Sequence, residues 1–552
     1  MAVHIQTGSM ESPAYYTSRN LNHLGLVSGM VDELDIVELI DRCLPKNKGK
    51  QIVSYGQAVK AMILNGLGFH HRALYLTPHF FQDKPLDRLL GNGIEAAHIN
   101  DDLLGRTLDE LFDYDPTRLY YQIASQSVSR LGLSLQYGHL DTTSFHVDGH
   151  SYSTPTGDDD RVIHITRGYS RDHRQDLNQV VLELICEGQA GIPLLMTSLS
   201  GNSNDKIIFR DTIRKYINQY NSSWNLDYLI ADSALYTAET LADLSQIKWI
   251  TRVPQTLTLA RDFIGEIAPG IMTRRDEMAM QSLCVWYGGV RQRWMIIYSP
   301  EAYQRALKSG QKSFLKYTTA ERRAFEKLCG ESFACEADAA NALLNFKKKL
   351  KYTDIGESSI HASLRHGRPG RPRKNQKPDT LVYQIEGTLF SCLEPYQRML
   401  QQKSCFILAT NEVDQDALSD QAVLETYKEQ QKVERGFRFL KDPLFMASTL
   451  FLKSPKRIMA LMMVMTLCLL VYAALEHRIR TSLQNADQFF PDQKGKLISN
   501  PTARWVFQFF AGIHVLIVSE NQATLILNMN EHHWLMLRLL GDAYEKIYSG
   551  DG

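Results

Sequence analysis

No cysteine pair in this sequence has metal-site spacing. The eight cysteines (Cys43, Cys186, Cys284, Cys329, Cys335, Cys392, Cys405 and Cys468) are scattered, with no CxxC and no Cys/His cluster, which excludes a structural zinc module. Net charge is missing as well: 61 Lys and Arg stand against 61 Asp and Glu. A chain that coats nucleic acid over its whole surface is therefore excluded, whereas one basic track is compatible with neutrality. The opening MAVHIQTGSMESPAYY lacks the basic stretch and apolar stretch of a secretory signal, and a reducing cytoplasm is the expected location. There is no internal repeat. Long apolar runs are scarce too: Ile458 to Leu475 (IMALMMVMTLCLLVYAAL) is the single uncharged 18-residue stretch. It just reaches membrane-span length, but it is rich in Met and Ala and flanked by polar sequence of globular character. A buried helix at the centre of a large domain, with no membrane partner, is the expectation.

What is present describes a large globular protein. Its 552 residues, 44% of them hydrophobic, can bury an extensive core and exclude both disorder and a small disulfide scaffold. Length alone suggests three to four units. Residues 1–132 read as a helical N-terminal domain, whose helices could read DNA as a helix-turn-helix or merely pack together, the commoner case. One helix spans Tyr55 to Leu67, another starts near Asn100, and a third is bounded by Asp115-Pro116 and Gly132, a cap, a first-turn proline and a stop.

After Gly132 the period becomes extended. LSLQYGHLDTTSFHV, NQVVLELICEG and GIPLLMTSLSG read as three strands, with a short extra strand at VIHIT. A helix over NDKIIFRDTIRKYINQY, the apolar strand DYLIAD, a helix over LYTAETLADLSQ and the strand KWITRV complete a mixed α/β layer over 133–253. Residues 254–404 read as a strand-rich insertion (SLCVWYGG, RWMIIYS, LVYQIEG) with one helical piece near Thr319 to Leu328. The layer resumes with SCFILAT and a long helical region, 405–480, and an α/β tail covers 481–552.

Two acids terminate apolar strands, Asp141 and Asp232. A buried carboxylate costs several kcal/mol unless paired or metal-bound, although Asp also caps turns and helices. A third acid, Glu434, lies in the helical YKEQQKVERGFRFLK. Spaced at about 100° per residue, Tyr427, Gln430, Glu434, Arg438 and Lys441 share one face beside an apolar stripe of Val433, Phe437 and Leu440. Such a half-buried helix could set a metal-binding carboxylate next to groups that grip a phosphate backbone.

The spacing Tyr427-x2-Gln430-x3-Glu434-x6-Lys441 resembles the Tyr-x2-Arg-x3-Glu-x6-Lys signature of the insertion sequence 4 superfamily of bacterial DDE transposases. Together with HLDTTSFHVDG, SRDHRQDLNQV, GNSND, LIADSALYT and HINDDLLGRTLDEL, the chain is most similar to the insertion sequence 1634 group. Gln430 stands where the signature has Arg, so that phosphate contact would be missing or carried by Arg438. The resemblance implies a ribonuclease H-like mixed-sheet core with Asp141, Asp232 and Glu434 as catalytic, metal-binding triad. It also implies Mg²⁺ or Mn²⁺, two ions, as cofactor, and double-stranded DNA (terminal inverted repeats and target) as partner, with a homodimer as the active complex. Three converging carboxylates repel each other unless divalent cations neutralise them, and two metals suit phosphodiester cleavage and strand transfer. Asp148, Asp172, Asp176 and Asp205 compete for these roles, but they sit in polar turns.

A basic track lies inside the insertion. RHGRPGRPRKNQK (365–377) resembles an AT-hook, in which an extended Gly-Arg-Pro centre lays Arg along a narrow A·T-rich minor groove. Arg368, Arg371, Arg373 and Lys374 are its candidate DNA contacts; a solvated loop is the competing reading.

Overall fold

A computed structural model describes residues 15–45, 52–69, 74–147, 161–169, 174–203, 226–244, 247–273, 275–365, 380–442, 452–518 and 524–550, with residue 212 and the short strands Val3–His4 and Thr449–Leu450. The chain forms two compact units, one from Met1–Thr251 with Gln421–Gly552 and the other from Arg252–Asp420.

In the first unit, helix α1 spans Leu24–Glu33 without a side-chain cap, and α2 spans Tyr55–Gly66 behind a reciprocal Ser54/Gln57 capping box. Asn100 caps α3 (Asp101–Tyr114), its side chain accepting the Leu103 amide at 3.0 Å. Asp115 accepts the Thr117 and Arg118 amides to cap α4 (Pro116–Leu131), which stops at Gly132 in the left-handed region, φ 62°.

The core sheet follows. Strands β1 (Tyr137–Val147), β2 (Gln179–Glu187) and β3 (Pro193–Ser200) form an antiparallel meander. Strands β4 (Tyr228–Ala231) and β5 (Lys248–Val253) then add on the other side of β1, each parallel to its neighbour. The order β3-β2-β1-β4-β5, three antiparallel strands and then parallel ones, is a ribonuclease H-like arrangement. The anticipated strand at VIHIT is reduced to one bridge, Thr166 to Gln179. The expected helix over 204–220 lies outside the described residues apart from Thr212.

The second unit has more helix than its sequence pattern suggested. Helix α5 (Thr258–Ile271) precedes the hairpin β6 (Ala279–Tyr287) and β7 (Val290–Tyr298), turned by Gly288 and Gly289 at φ 59° and 75°. Two positive φ angles in a two-residue loop are the twist-matched solution that glycine permits. Then α6 runs unbroken over Pro300–Gly330, where only a short piece was expected. Its sparse apolar positions, Tyr303, Ala306, Gly310, Phe314 and Phe325, are spread over about six turns and escape a short window. Helix α7 (Glu336–Lys347), the hairpin β8 (Thr353–Arg365) and β9 (Thr380–Ser391), and α8 (Glu394–Ser404) follow; β10 (Cys405–Thr410) then pairs antiparallel with β7.

The chain returns to the first unit through α9 (Asp420–Glu429), α10 (Gln431–Leu440) and the 31-residue α11 (Pro455–Asn485). Helix α11 is the core of that unit, packed on α1, α2, α3, α4, β3 and the C-terminal helix Glu531–Leu540. Among the described residues it alone is long and apolar enough to cross a membrane, and 89% of its apolar window is buried in the fold. Arg457 near its start grips Asp109 of α3 with two hydrogen bonds of 2.8 and 2.7 Å. The tail forms the expected helix, two strands and helix, and its strand His514–Val518 pairs with Tyr15–Asn20 from the N-terminus.

Candidate active site

Two of the three anticipated acids stand side by side. In the parallel pairing of β1 with β4, Tyr137 lies opposite Tyr228 and Leu140 opposite Ala231. The next step of that register brings Asp141 and Asp232 to one level at the carboxyl end of β4. Adjacent strands lie about 4.8 Å apart, so the two carboxylates repel each other unless a cation or a proton intervenes.

Asp141 is buried, and its Oδ1 accepts the Thr142 amide at 2.7 Å. Asp232 is half-buried; its Oδ1 accepts the Ala234 amide at 2.8 Å, and its carbonyl accepts the Thr251 hydroxyl at 2.8 Å. Asp232 therefore serves the turn after β4 as well as facing the site, so the capping and site readings both hold for this residue. Of the competing acids, Asp176 is exposed and held by Arg174, whose hydrogen bonds of 2.9 Å keep its carboxyl down at about 2. Asp148, Asp172 and Asp205 lie outside the described residues.

The sequence reading missed the neighbours of Asp141 on its own strand face. His139, two residues earlier, is buried with neither ring nitrogen hydrogen-bonded among the described residues. Burial, with Lys432 nearby, pulls its pKa down to about 4. Opposite it on β2, burial pushes the Cys186 thiol up, and the charges of Glu187 and Asp141 push the same way. Both groups are neutral near pH 7. The signal was available in the alternation His139, Asp141, Thr143, but a buried histidine without a motif carries no chemistry on its own.

The helix bearing the third acid is not continuous. At Gln430 the amide bonds the carbonyl of Tyr427 at 3.2 Å, three residues back, and α9 ends before α10 begins. The tighter turn at 430 shifts the phase of the face drawn from Tyr427 to Lys441, although Gln430 and Lys441 both still reach β1. Gln430 is the residue this changes most. Its side chain is buried and its Nε2 donates to the Leu140 carbonyl at 3.4 Å, so it fastens the start of α10 beside Asp141 instead of facing DNA.

Beyond the break the apolar stripe is as anticipated, with Val433, Phe437 and Leu440 buried. Lys441 reaches the face of Phe145, 5.9 Å from the ring centroid, so α10 tracks β1 from Leu140 to Phe145. Tyr427 is half-buried. Glu434 is 55% exposed and lies 3.8 Å from Arg438, itself 76% exposed. Glu429 is engaged by Lys432 at 3.2 Å, and Lys432 also donates to the Gly188 carbonyl. Among the described residues, no group of three or more His, Cys, Asp or Glu is close enough to hold a metal ion. The structure thus pairs Asp141 with Asp232 and leaves Glu434 on the adjoining helix. Arg368, Arg371, Arg373 and Lys374 lie outside the described residues.

Residues 138–471 match the Transposase DDE domain family, and residues 16–125 match a domain of unknown function, DUF4277. The chain belongs to the DDE transposase-domain family. The matched span contains Asp141, Asp232 and Glu434 together with the whole of unit 252–420. No curated protein matches the chain. Among solved structures, it is similar to a piggyBac transposase in a synaptic complex with hairpin DNA, determined by cryo-EM. That likeness has a TM-score of 0.37 at 9% identity and covers 89% of this chain and 81% of that one.

Proposed function

We propose that this transposase domain belongs to a bacterial insertion sequence of the insertion sequence 4 superfamily, 1634 group. It nicks the element ends and transfers the freed 3′-ends into target DNA. The observation that carries the reading is the register of β1 and β4, which sets Asp141 beside Asp232 at a strand end within the matched domain. Their donor set is all oxygen, which fits Mg²⁺ or Mn²⁺ and not a thiolate- or imidazole-seeking metal. Asp141, Asp232 and Glu434 would hold two such ions, which when bound supply activation of the attacking hydroxyl and stabilisation of the leaving oxygen.

The chain's own groups have separate tasks in this scheme. Asp141 is held in place by its buried strand, and Asp232 by the turn it caps. Gln430 anchors α10 to β1 so that Glu434, one turn later, can swing from Arg438 towards the pair when DNA arrives. Arg438 and Lys441, with Tyr427, then meet the phosphate backbone, and Arg368, Arg371, Arg373 and Lys374 take an A·T-rich minor groove. The active complex is a homodimer on two element ends, in the cytoplasm and against the nucleoid.

A second reading, a DNA-binding regulator without catalysis, is favoured by the outward position of Glu434 and the absence of a three-acid group among the described residues. Incubating the purified chain with element-end duplex, with Mg²⁺ or with chelator, separates the two. The enzyme reading expects Mg²⁺-dependent nicking that Asp141→Asn, Asp232→Asn and Glu434→Gln each abolish while end binding persists. Their losses do not add, because the site works as a unit. Glu429→Gln remains active. Binding without any nicking would establish the regulator, and an inactive Glu429→Gln beside an active Glu434→Gln would overturn the assignment of the third acid.

A further inference from the structure

We infer that the solvent face of α6, in the second unit, is a track for the phosphate backbone of duplex DNA. This rests on the DNA-acting reading above and assigns it a surface that neither the acids nor the AT-hook-like segment supplies. With Arg305 at 0° and about 100° per residue, Lys308 falls at about 300°, Lys312 at about 340°, Lys316 at about 20°, Arg323 at about 0° and Lys327 at about 40°. Six cations thus occupy a sector of about 100°, and all six are exposed. The opposite sector, from about 100° to 200°, holds Tyr303, Ala306, Gly310, Phe314, Glu321 and Phe325. It packs on α8 and β9, with Glu321 accepting the Thr353 hydroxyl at 2.7 Å.

A charged helix face is ordinarily just solvated, and three features separate this one from that. First, none of the six cations has an ion pair or side-chain hydrogen bond within the described residues, although Glu301 and Glu326 lie on the same side of the helix. Second, apart from Glu301 four residues before Arg305 at its start, the i,i+4 neighbours along the stripe are like-charged: Lys308 with Lys312, Lys312 with Lys316, and Arg323 with Lys327. A helix patterned for solubility places Glu against Lys at that spacing, and like pairs weaken it. Third, the chain as a whole is neutral, so six unpaired cations on one face are a segregation of charge and not a share of a basic surface. From Arg305 to Lys327 the stripe is about 33 Å long, close to one turn of B-DNA at about 34–36 Å. A regular row of point charges over one helical turn complements a phosphate backbone and carries no base-reading pattern.

The test uses the full chain, a labelled 30-base-pair duplex of unrelated sequence and fluorescence anisotropy between 50 and 200 mM salt, comparing wild type with Lys308→Ala/Lys312→Ala/Lys316→Ala. Removal of three phosphate contacts should flatten the slope of log Kobs against log salt by about 2.7 and weaken binding equally on every duplex sequence. The triple Lys→Arg variant should keep the slope. All three side chains are exposed and Ala favours helix, so an unchanged urea midpoint should accompany the loss. A wild type that binds duplex steeply beside a folded triple-Ala variant of equal slope overturns the track and leaves the catalytic reading standing. Failure of the wild type to nick element-end duplex in Mg²⁺ removes the catalytic reading and leaves the track to be judged by the slope on the unrelated duplex. Loss of binding to polyglutamate with duplex binding intact assigns the face to an acidic protein and also overturns it.

Discussion

His23 offers a quantitative check on the packing of the first unit. The imidazole is sealed at the start of α1, stacked on Phe507 with ring centroids 4.5 Å apart. Its Nε2 is 2.8 Å from the Leu67 carbonyl, so that nitrogen carries the proton, and Nδ1 is buried with no partner among the described residues. A second proton would sit on Nδ1 with nothing to receive it, and burial accordingly lowers the pKa from 6.5 to about 4. The unfolded chain therefore binds the proton first as pH falls. The contribution is present in full above about pH 6.5, declines towards pH 4 and is constant below it. Between pH 7 and pH 5 the loss is about 2 kcal/mol, out of about 3 kcal/mol over the full range. Urea unfolding followed by tryptophan fluorescence at both pH values, on wild type and His23→Asn, isolates this residue from the other histidines. Wild type should lose about 2 kcal/mol more than the variant on acidification. Equal losses would mean that His23 is solvated or already paired in the fold, and the burial argument would fail.

Other consequences can be measured in parallel. Met462→Lys puts an unpaired charge in the fully buried middle of α11 and should destabilise the chain by several kcal/mol. Wild type is expected in the high-speed supernatant without detergent, and a protease-protected membrane segment would refute the core reading. Gly29→Ala would bring a methyl within 2.6 Å of the Tyr544 ring, and an overpacking cost of about 1–3 kcal/mol should appear as a lowered urea midpoint that Tyr544→Leu partly restores. Gln430→Ala should reduce nicking per bound complex without changing DNA affinity, since the side chain faces Leu140; reduced affinity with undiminished nicking would return Gln430 to the DNA surface. Arg368→Ala/Arg371→Ala/Arg373→Ala should weaken binding to A·T-rich duplex and flatten its salt slope, and an unaltered slope would make that segment a linker.

The sequence made some of this legible because local chemistry and tertiary demand agree there. Ser54, Asn100 and Asp115 cap helices that also have an apolar face to bury, and β1 to β5 are apolar enough to be read one by one. Their order could be anticipated from the succession of three strands, a helix and a strand, but the register that sets Leu140 opposite Ala231 is a pairing of residues 91 positions apart, and no local pattern encodes it. The α9–α10 face was misdrawn because helical wheels assume constant pitch. At that tighter turn Gln430 makes a buried contact with Leu140, from a strand 290 residues earlier.

The same contrast explains the two basic tracks. RHGRPGRPRKNQK is conspicuous because its cations are adjacent in sequence, whereas the α6 cations are diluted three to four residues apart and become a stripe only once Pro300–Gly330 is known to be one helix. In a chain of zero net charge, composition hides such a surface. Coulombic attraction depends on where the charges are gathered, so the track on α6 adds to DNA affinity in proportion to the phosphates it neutralises, whatever the sum over the chain.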